Sequence, residues 1–278
     1  MKKILPVVAA VVFFLPLQAQ TQSAMDYDQA WKNVARLEER SLPRSASEQV
    51  ELILRKAVVE KNTPQIIKAI IHQGKYDLVL DSEADTLIFR NLKQMLESSE
   101  DPVERSVLHS MLGELYLQYY DKERWSIDRR TAISGYLPED MKEWSKNNLF
   151  DKAVEHLNAS IDQQKKLEET EVKSYEPLVV LGKDSRRFYP SMYDFLALRA
   201  IEFLARINDD SDLSRSLSRK GITQQELFLP AEEFVKLKFD PKPGEYDLWA
   251  LECYKKLLLS LSGRGLDKAV ALTDLSRC

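Results

Sequence analysis

The sequence predicts an all-α chain of stacked antiparallel helix pairs, a solenoid with irregular insertions. Three observations lead there. Only 8 of 278 residues are glycine, too few for the many turns of a β-sandwich, while helix-favouring Leu, Ala, Glu, Lys and Arg are abundant. Apolar residues recur at three- and four-residue spacing behind helix-start residues. Those starts fall at nearly even intervals, near residues 27, 45, 63, 83 and 101.

Residues 1–19 stand apart from the rest. Lys2 and Lys3 precede the uncharged run Ile4–Leu17, and Gln18-Ala19-Gln20 breaks it. The run is short for a bilayer-spanning helix. The pattern is that of a secretory signal peptide cleaved after Ala19, with no cysteine nearby for a lipid anchor. Residues 20–278 are then one helical domain, periplasmic or secreted, with a possible subdivision near 163–189. Cleavage moves the formal charge from −4 to −6, because two lysines and no acid leave. Such an acidic chain is a poor partner for nucleic acid, which rewards clustered positive charge. No later stretch is long and apolar enough for stable membrane insertion.

The first helix opens at Asp26 or Asp28 and carries Trp31, Val34, Ala35 and Leu37. Ser45 and Glu48 have capping-box spacing ahead of Val50, Ile53, Leu54, Ala57 and Val58. Thr63-Pro64 reads as an N-cap with proline at the first helical position, followed by Ile66, Ile67, Ile70, Ile71 and Leu78. Gly74 lies on that face, where its small size suits a close helix neighbour. A weaker helix covers 83–98. Asp101-Pro102 with Glu104 starts the next, whose apolar positions run from Val103 through Leu108 and Tyr116 to Tyr119. A start about every 18 residues gives pairs of about 36, within the range of helical-repeat proteins and similar to tetratricopeptide repeats without their consensus.

Regularity breaks over 121–137 and resumes from Met141 to Ile161. Residues 163–189 read as a long connection, with Pro177–Leu181 as a short strand or a buried coil. Pro190 to Arg206 is a helix whose polar residues Asp194, Arg199, Glu202 and Arg206 share an arc of roughly 140°. So broad an apolar surface needs neighbours on more than one side. After a polar loop over 208–221, helical segments follow near 224–237, 245–261 and 265–275. The last ends without the polar cap a solenoid needs, which suggests a truncated product or a further domain downstream.

The chain offers little catalytic chemistry to the reader of its sequence. His72, His109 and His156 each stand alone in a helical pattern, without a second ligand at metal spacing. No nucleophile elbow, H-E-x-x-H, C-x-x-C or phosphate loop occurs. Glu168, Glu169 and Glu171 read as a solvated face. Tyr116, Tyr119, Tyr120 and Trp125 read mostly as core, with a peptide groove as the alternative. Cys253 and Cys278 leave one disulfide open in an oxidising compartment. The expectation is therefore a chain that is not an enzyme and holds no cofactor or metal.

Leu108 through Tyr120, then Arg124-Trp125 and Arg130-Thr131, resembles a segment of the N-terminal helical region of bacterial alpha-2-macroglobulin-like proteins. Phe188 through Ala197, including Pro190, Tyr193, Asp194 and Phe195, with Arg199-Ala200, is similar to a second segment of that region. Tyr27–Trp31, Leu42–Ala46 and Pro64–Ala69 add weaker matches in the same order. In that family the helical region precedes β-sandwich macroglobulin domains, and some members carry a Cys-Gly-Glu-Gln thioester used in trapping proteases. Here Cys253 is followed by Tyr254-Lys255-Lys256, so the resemblance implies a family and transfers no reactive residue. It implies an interaction module whose partners are proteins, macroglobulin-type domains or proteases among them. The alternative is a free-standing periplasmic helical-repeat protein that binds peptides or an envelope partner.

Overall fold

The computed structural model describes residues 26–80, 85–130, 136–179, 182, 184–207 and 221–277. The expected signal segment, most of the polar loop over 208–221 and Cys278 lie outside the described residues. Among those residues the chain is all-α, with thirteen helices and no strand.

Five helices come first: α1 (Tyr27–Glu39), α2 (Pro43–Val59), α3 (Thr63–Leu80), α4 (Asp85–Ser98) and α5 (Pro102–Ile127). Their starts match the even spacing of the sequence, but two caps differ. The chain enters α2 through Pro43 after Leu42, with no side-chain cap, so the Ser45–Glu48 pair sits inside the helix. Proline at the first position needs no N–H partner there, which makes it a sufficient start. At α3 the side chain that meets the orphan amides belongs to Asn62, whose Oδ1 accepts from Gln65 N at 3.4 Å. Asp101 caps α5 as expected, accepting from Val103 N at 2.8 Å.

The α1–α2 and α2–α3 links are closed by the same turn. Leu42 N donates to Leu37 O at 3.0 Å and Asn62 N to Ala57 O at 2.9 Å. Each link puts one residue in the left-handed region, Ser41 at φ 56° and Lys61 at φ 53°. Glycine is the usual occupant of that position. A third turn of this kind, after the helix Tyr246–Gly263, uses Gly265 at φ 69°.

Helix α5 runs to Ile127, seven residues past the point where the sequence pattern fails. After it come a 3₁₀ turn at Met141–Glu143 and α6 (Lys146–Ala159), capped by the reciprocal Ser145–Asn148 box. Gly113 lets α6 close onto α5: a Cβ there would stand 2.8 Å from Leu157 Cγ and 3.2 Å from Ala153 O. Gly74 does the same for α3 against Ile88 of α4. From α1 to α6 each helix packs on its predecessor.

The long connection contains short elements: α7 (Gln164–Glu168), a 3₁₀ turn (Val172–Tyr175) and α8 (Ser185–Phe188). Pro177 and Leu178 belong to a turn rather than a strand, closed by Val179 N to Tyr175 O at 3.0 Å. Helix α9 (Met192–Ile207) follows. It packs against α5, α6, α7 and α12 (Tyr246–Gly263) together, contacts of another kind from the neighbour-on-neighbour pairs of α1–α6. The expected helix over 224–237 is two short ones, α10 (Gln224–Leu227) and α11 (Ala231–Phe234), separated before Pro230. Helix α13 (Asp267–Arg277) packs on α12.

The main core joins α3 to α9 with one side of α12. A smaller cluster of Val34, Ala46, Val50, Ile53, Ala69 and Tyr76 holds α1–α3. A third, around Phe234, Leu248, Leu251 and Leu258, holds the C-terminal helices. No helix among the described residues is long and apolar enough to cross a membrane.

Lys61 is exposed and in a conformation that costs a side-chain-bearing residue about 1–2 kcal/mol. Lys61→Gly removes that cost and loses part of it again to chain entropy. The expected net gain is about 0.5–1 kcal/mol in unfolding free energy, read from the urea midpoint; a loss of stability would contradict the left-handed turn.

Candidate functional site

A groove of about 370 Å³ opens between α3, α4, α5 and α9. Its walls are mainly apolar. Ile70 and Ile71 come from α3, Ile88 and Leu92 from α4, Val107, Met111 and Leu115 from α5, and Met192, Phe195 and Leu196 from α9; Leu178 and Val179 close it beyond the 3₁₀ turn. The three- and four-residue spacing within each helix puts these side chains on one face. A concave, largely apolar surface with few polar groups is the usual form of a binding site.

The charged groups in the groove are each paired. Arg199 donates from Nε to Ser110 Oγ at 3.1 Å and pairs through Nη2 with Glu114 Oε2. The other oxygen of Glu114 accepts from Gln118 Nε2 at 3.0 Å. Lys75, at another edge, is held 2.9 Å from Glu38. The Arg199 guanidinium also lies over the Phe203 ring, 4.9 Å from its centroid. This chain of contacts ties α9 to α5 and leaves the groove without an uncompensated charge. It favours an occupant that brings apolar side chains.

Deeper in the fold, Asp194 has no exposed surface. Its Oδ2 accepts from Ser191 N at 3.0 Å, from Ser191 Oγ at 2.8 Å and from Arg264 Nη1 at 3.2 Å. Its Oδ1 is paired with Arg264 Nη2. Arg264 follows the last turn of α12, and its Nη2 also donates to Ser260 Oγ at 3.0 Å. Ser260 in turn donates to Glu168 of α7. Three elements meet at this network, and the buried Asp194 carboxylate is answered by protein partners.

The residues on which the sequence resemblance rests fall into several environments. Leu108, Tyr116 and Tyr193 are core. Tyr116 stacks on Trp144 with ring centroids 5.7 Å apart. Tyr120 is buried and donates to Asp128 Oδ1 at 3.0 Å. Arg130 ties the end of α5 to Trp144 O at 2.7 Å, and the Pro190 carbonyl accepts from Val172 N at 2.9 Å. Phe195 and Arg199 line the groove. Phe195 is half-buried, so it belongs to the groove wall and not to the closed core. Trp125 departs from the core reading of the tyrosines: it is 83% exposed on the last turns of α5. Cys253 is a free, fully buried thiol, which burial pushes up to about 12.

Two histidines that read as solitary are brought together. His109 of α5 and His156 of α6 place their Nδ1 atoms 2.9 Å apart. Both are held below the usual histidine range, first by burial. Arg105 adds to the effect at His109, and Glu155 and Asp162 oppose it. His156 is lowered to about 4, with His109, Lys152 and Lys93 adding to burial and Glu155 opposing. Among the described residues no group of three or more His, Cys, Asp and Glu is placed to hold a metal ion. The sequence signals for the groove that were passed over are Ser110 and Glu114. They are polar residues four apart on a helix face otherwise apolar, and they need a partner such as Arg199.

Arg264→Met leaves the Asp194 carboxylate buried without its cation, at an expected cost of about 3–5 kcal/mol in urea unfolding. Adding Asp194→Asn should recover part of that loss. A single-variant loss below about 1 kcal/mol would mean that the charge network does not hold α9 to α12.

Comparison of the chain with protein-family models, with curated proteins and with solved structures gives no match.

Proposed function

We propose that the chain is a non-catalytic helical interaction module of an exported, alpha-2-macroglobulin-like protein, and that it binds a protein partner in the groove between α3, α4, α5 and α9. The observation that carries this reading is the groove itself: a largely apolar concavity of about 370 Å³ whose charged residues are paired. Such a surface recognises apolar side chains presented by another chain, as grooves that accept an amphipathic helix do. Export rests on the pattern of residues 1–19, cut near Ala19. Macroglobulin-type domains or proteases as partners rest on the resemblance of the Leu108–Tyr120 and Phe188–Ala197 segments.

Sequential helix packing from α1 to α6 favours a second reading, a free-standing periplasmic helical-repeat protein that binds peptides or an envelope partner. Both readings put recognition on a helix surface and chemistry elsewhere.

Ile71 is 44% exposed at the groove, so Ile71→Glu changes its character with little effect on packing. Capture of a stoichiometric partner from exported proteins should weaken at least about tenfold in this variant, the equivalent of losing one apolar anchor. Far-UV circular dichroism should stay unchanged. Equal capture by both proteins would place recognition outside the groove.

A further inference from the structure

His109 and His156 meet because Gly113 lets α6 lie close on α5. His109 stands one turn before Gly113, and His156 is next to Leu157, whose side chain fills the space at that glycine. Both histidines are half-buried. Their Nδ1 atoms are 2.9 Å apart and their ring centroids 5.1 Å apart. Tyr116 stacks on the His156 ring at 5.7 Å and on Trp144 at 5.7 Å. At a separation of 2.9 Å the line between the two nitrogens has room for one hydrogen. One ring therefore donates its Nδ1–H and the other accepts with a lone pair.

We propose that this shared hydrogen makes the pair a proton-counting latch between α5 and α6: the contact survives a first added proton and is broken by a second, so that acid loosens the packing of α6 on α5. The first proton enters at Nε2 of the donating ring, the nitrogen that carries no hydrogen. That ring becomes an imidazolium, its Nδ1–H still points at the neutral partner, and the bond becomes charge-assisted. The second proton has only the accepting Nδ1 left. It takes up the lone pair, sets two N–H groups against each other at hydrogen-bond distance, and puts two like charges on rings packed between helices.

The surroundings lean the same way. Arg105 of α5, Lys93 of α4 and Lys152 of α6 disfavour added positive charge, while Glu155 of α6 and Asp162 beyond it offset part of the effect. Burial is the largest cause at both rings, and His156 is lowered to about 4 with His109 as the next cause. A histidine held low in the folded chain and ordinary in the unfolded one costs nothing above about pH 6.5. Below that value the unfolded chain binds more protons, and stability falls until the folded value is reached. The latch therefore weakens between about pH 6.5 and about pH 4.

The test compares the full chain with His156→Asn, whose amide oxygen can accept from His109 Nδ1–H but takes no proton. Urea unfolding is measured at pH 7 and at pH 4. Over that interval the unfolding equilibrium constant of the wild-type chain should rise about a hundredfold more than that of the variant. Equal pH dependence of the two proteins would overturn the proposal. Two measurements on the wild-type chain stand even if the variant fails to fold. By nitrogen-15 NMR the two rings should titrate in separate steps, as a coupled pair does; both rings titrating together near the ordinary histidine value would contradict the shared hydrogen. By native-state hydrogen exchange, opening of the α6 amides should gain at least about tenfold on opening of the α9 amides between pH 7 and pH 4. An unchanged ratio would show that acid does not act through the contact of α6 with α5.

Discussion

A carboxylate with no exposed surface has to be answered by a cation, and Asp194 is answered by Arg264. That requirement fixes the start of α9 against the end of α12. Through Ser260 and Glu168 it also fixes both against α7. The same carboxylate accepts from Ser191 at the entry to α9, so one side chain both starts the helix and anchors it. Paired charges of this kind add little to stability relative to a well-packed apolar core, but breaking them is costly. Their effect here is to permit one placement of α9.

The rest of the architecture follows from that placement. Leu196, Ala197, Ala200, Ile201, Phe203 and Leu204 are all buried, so α9 is surrounded as its apolar circumference demands. On the α5 side, Arg199 reaches Ser110 and Glu114, and the two helices are held together by polar contacts. The space beside them, bounded by α3 and α4, is the groove. The groove is thus a consequence of how α9 is held, and its apolar walls are the outer edge of the main core, with Leu92, Val107, Met192 and Leu196 belonging to both. On the opposite flank of α5, the glycine contact with α6 makes the packing close enough for two histidine rings to meet.

Much of this was legible in the sequence because it is local. The start of α5 is written in Asp101-Pro102, and the need of α9 for several neighbours is written in its run of apolar residues. What was not legible depends on partners distant in the chain. The pattern over Asp121–Ser126 breaks because those residues overhang into solvent, yet α5 continues until Ile127 finds the core. Ser45 and Glu48 have the spacing of a capping box, but Pro43 begins the helix before they can act. Asp194 reads as part of a polar arc, and only the arrival of Arg264, 70 residues later, shows that the arc is buried there. His109 and His156 are 47 residues apart, with nothing in either neighbourhood to suggest the other.

The central claim is that α9 is the hub on which the helices of the main core close. Native-state hydrogen exchange tests it most directly. If the claim holds, the buried amides of α9 between Leu196 and Leu204 exchange only through global unfolding, with the same free energy and denaturant dependence as those of α5 and α12. Exchange of α9 through a separate opening, at a free energy well below that of α5, would contradict it.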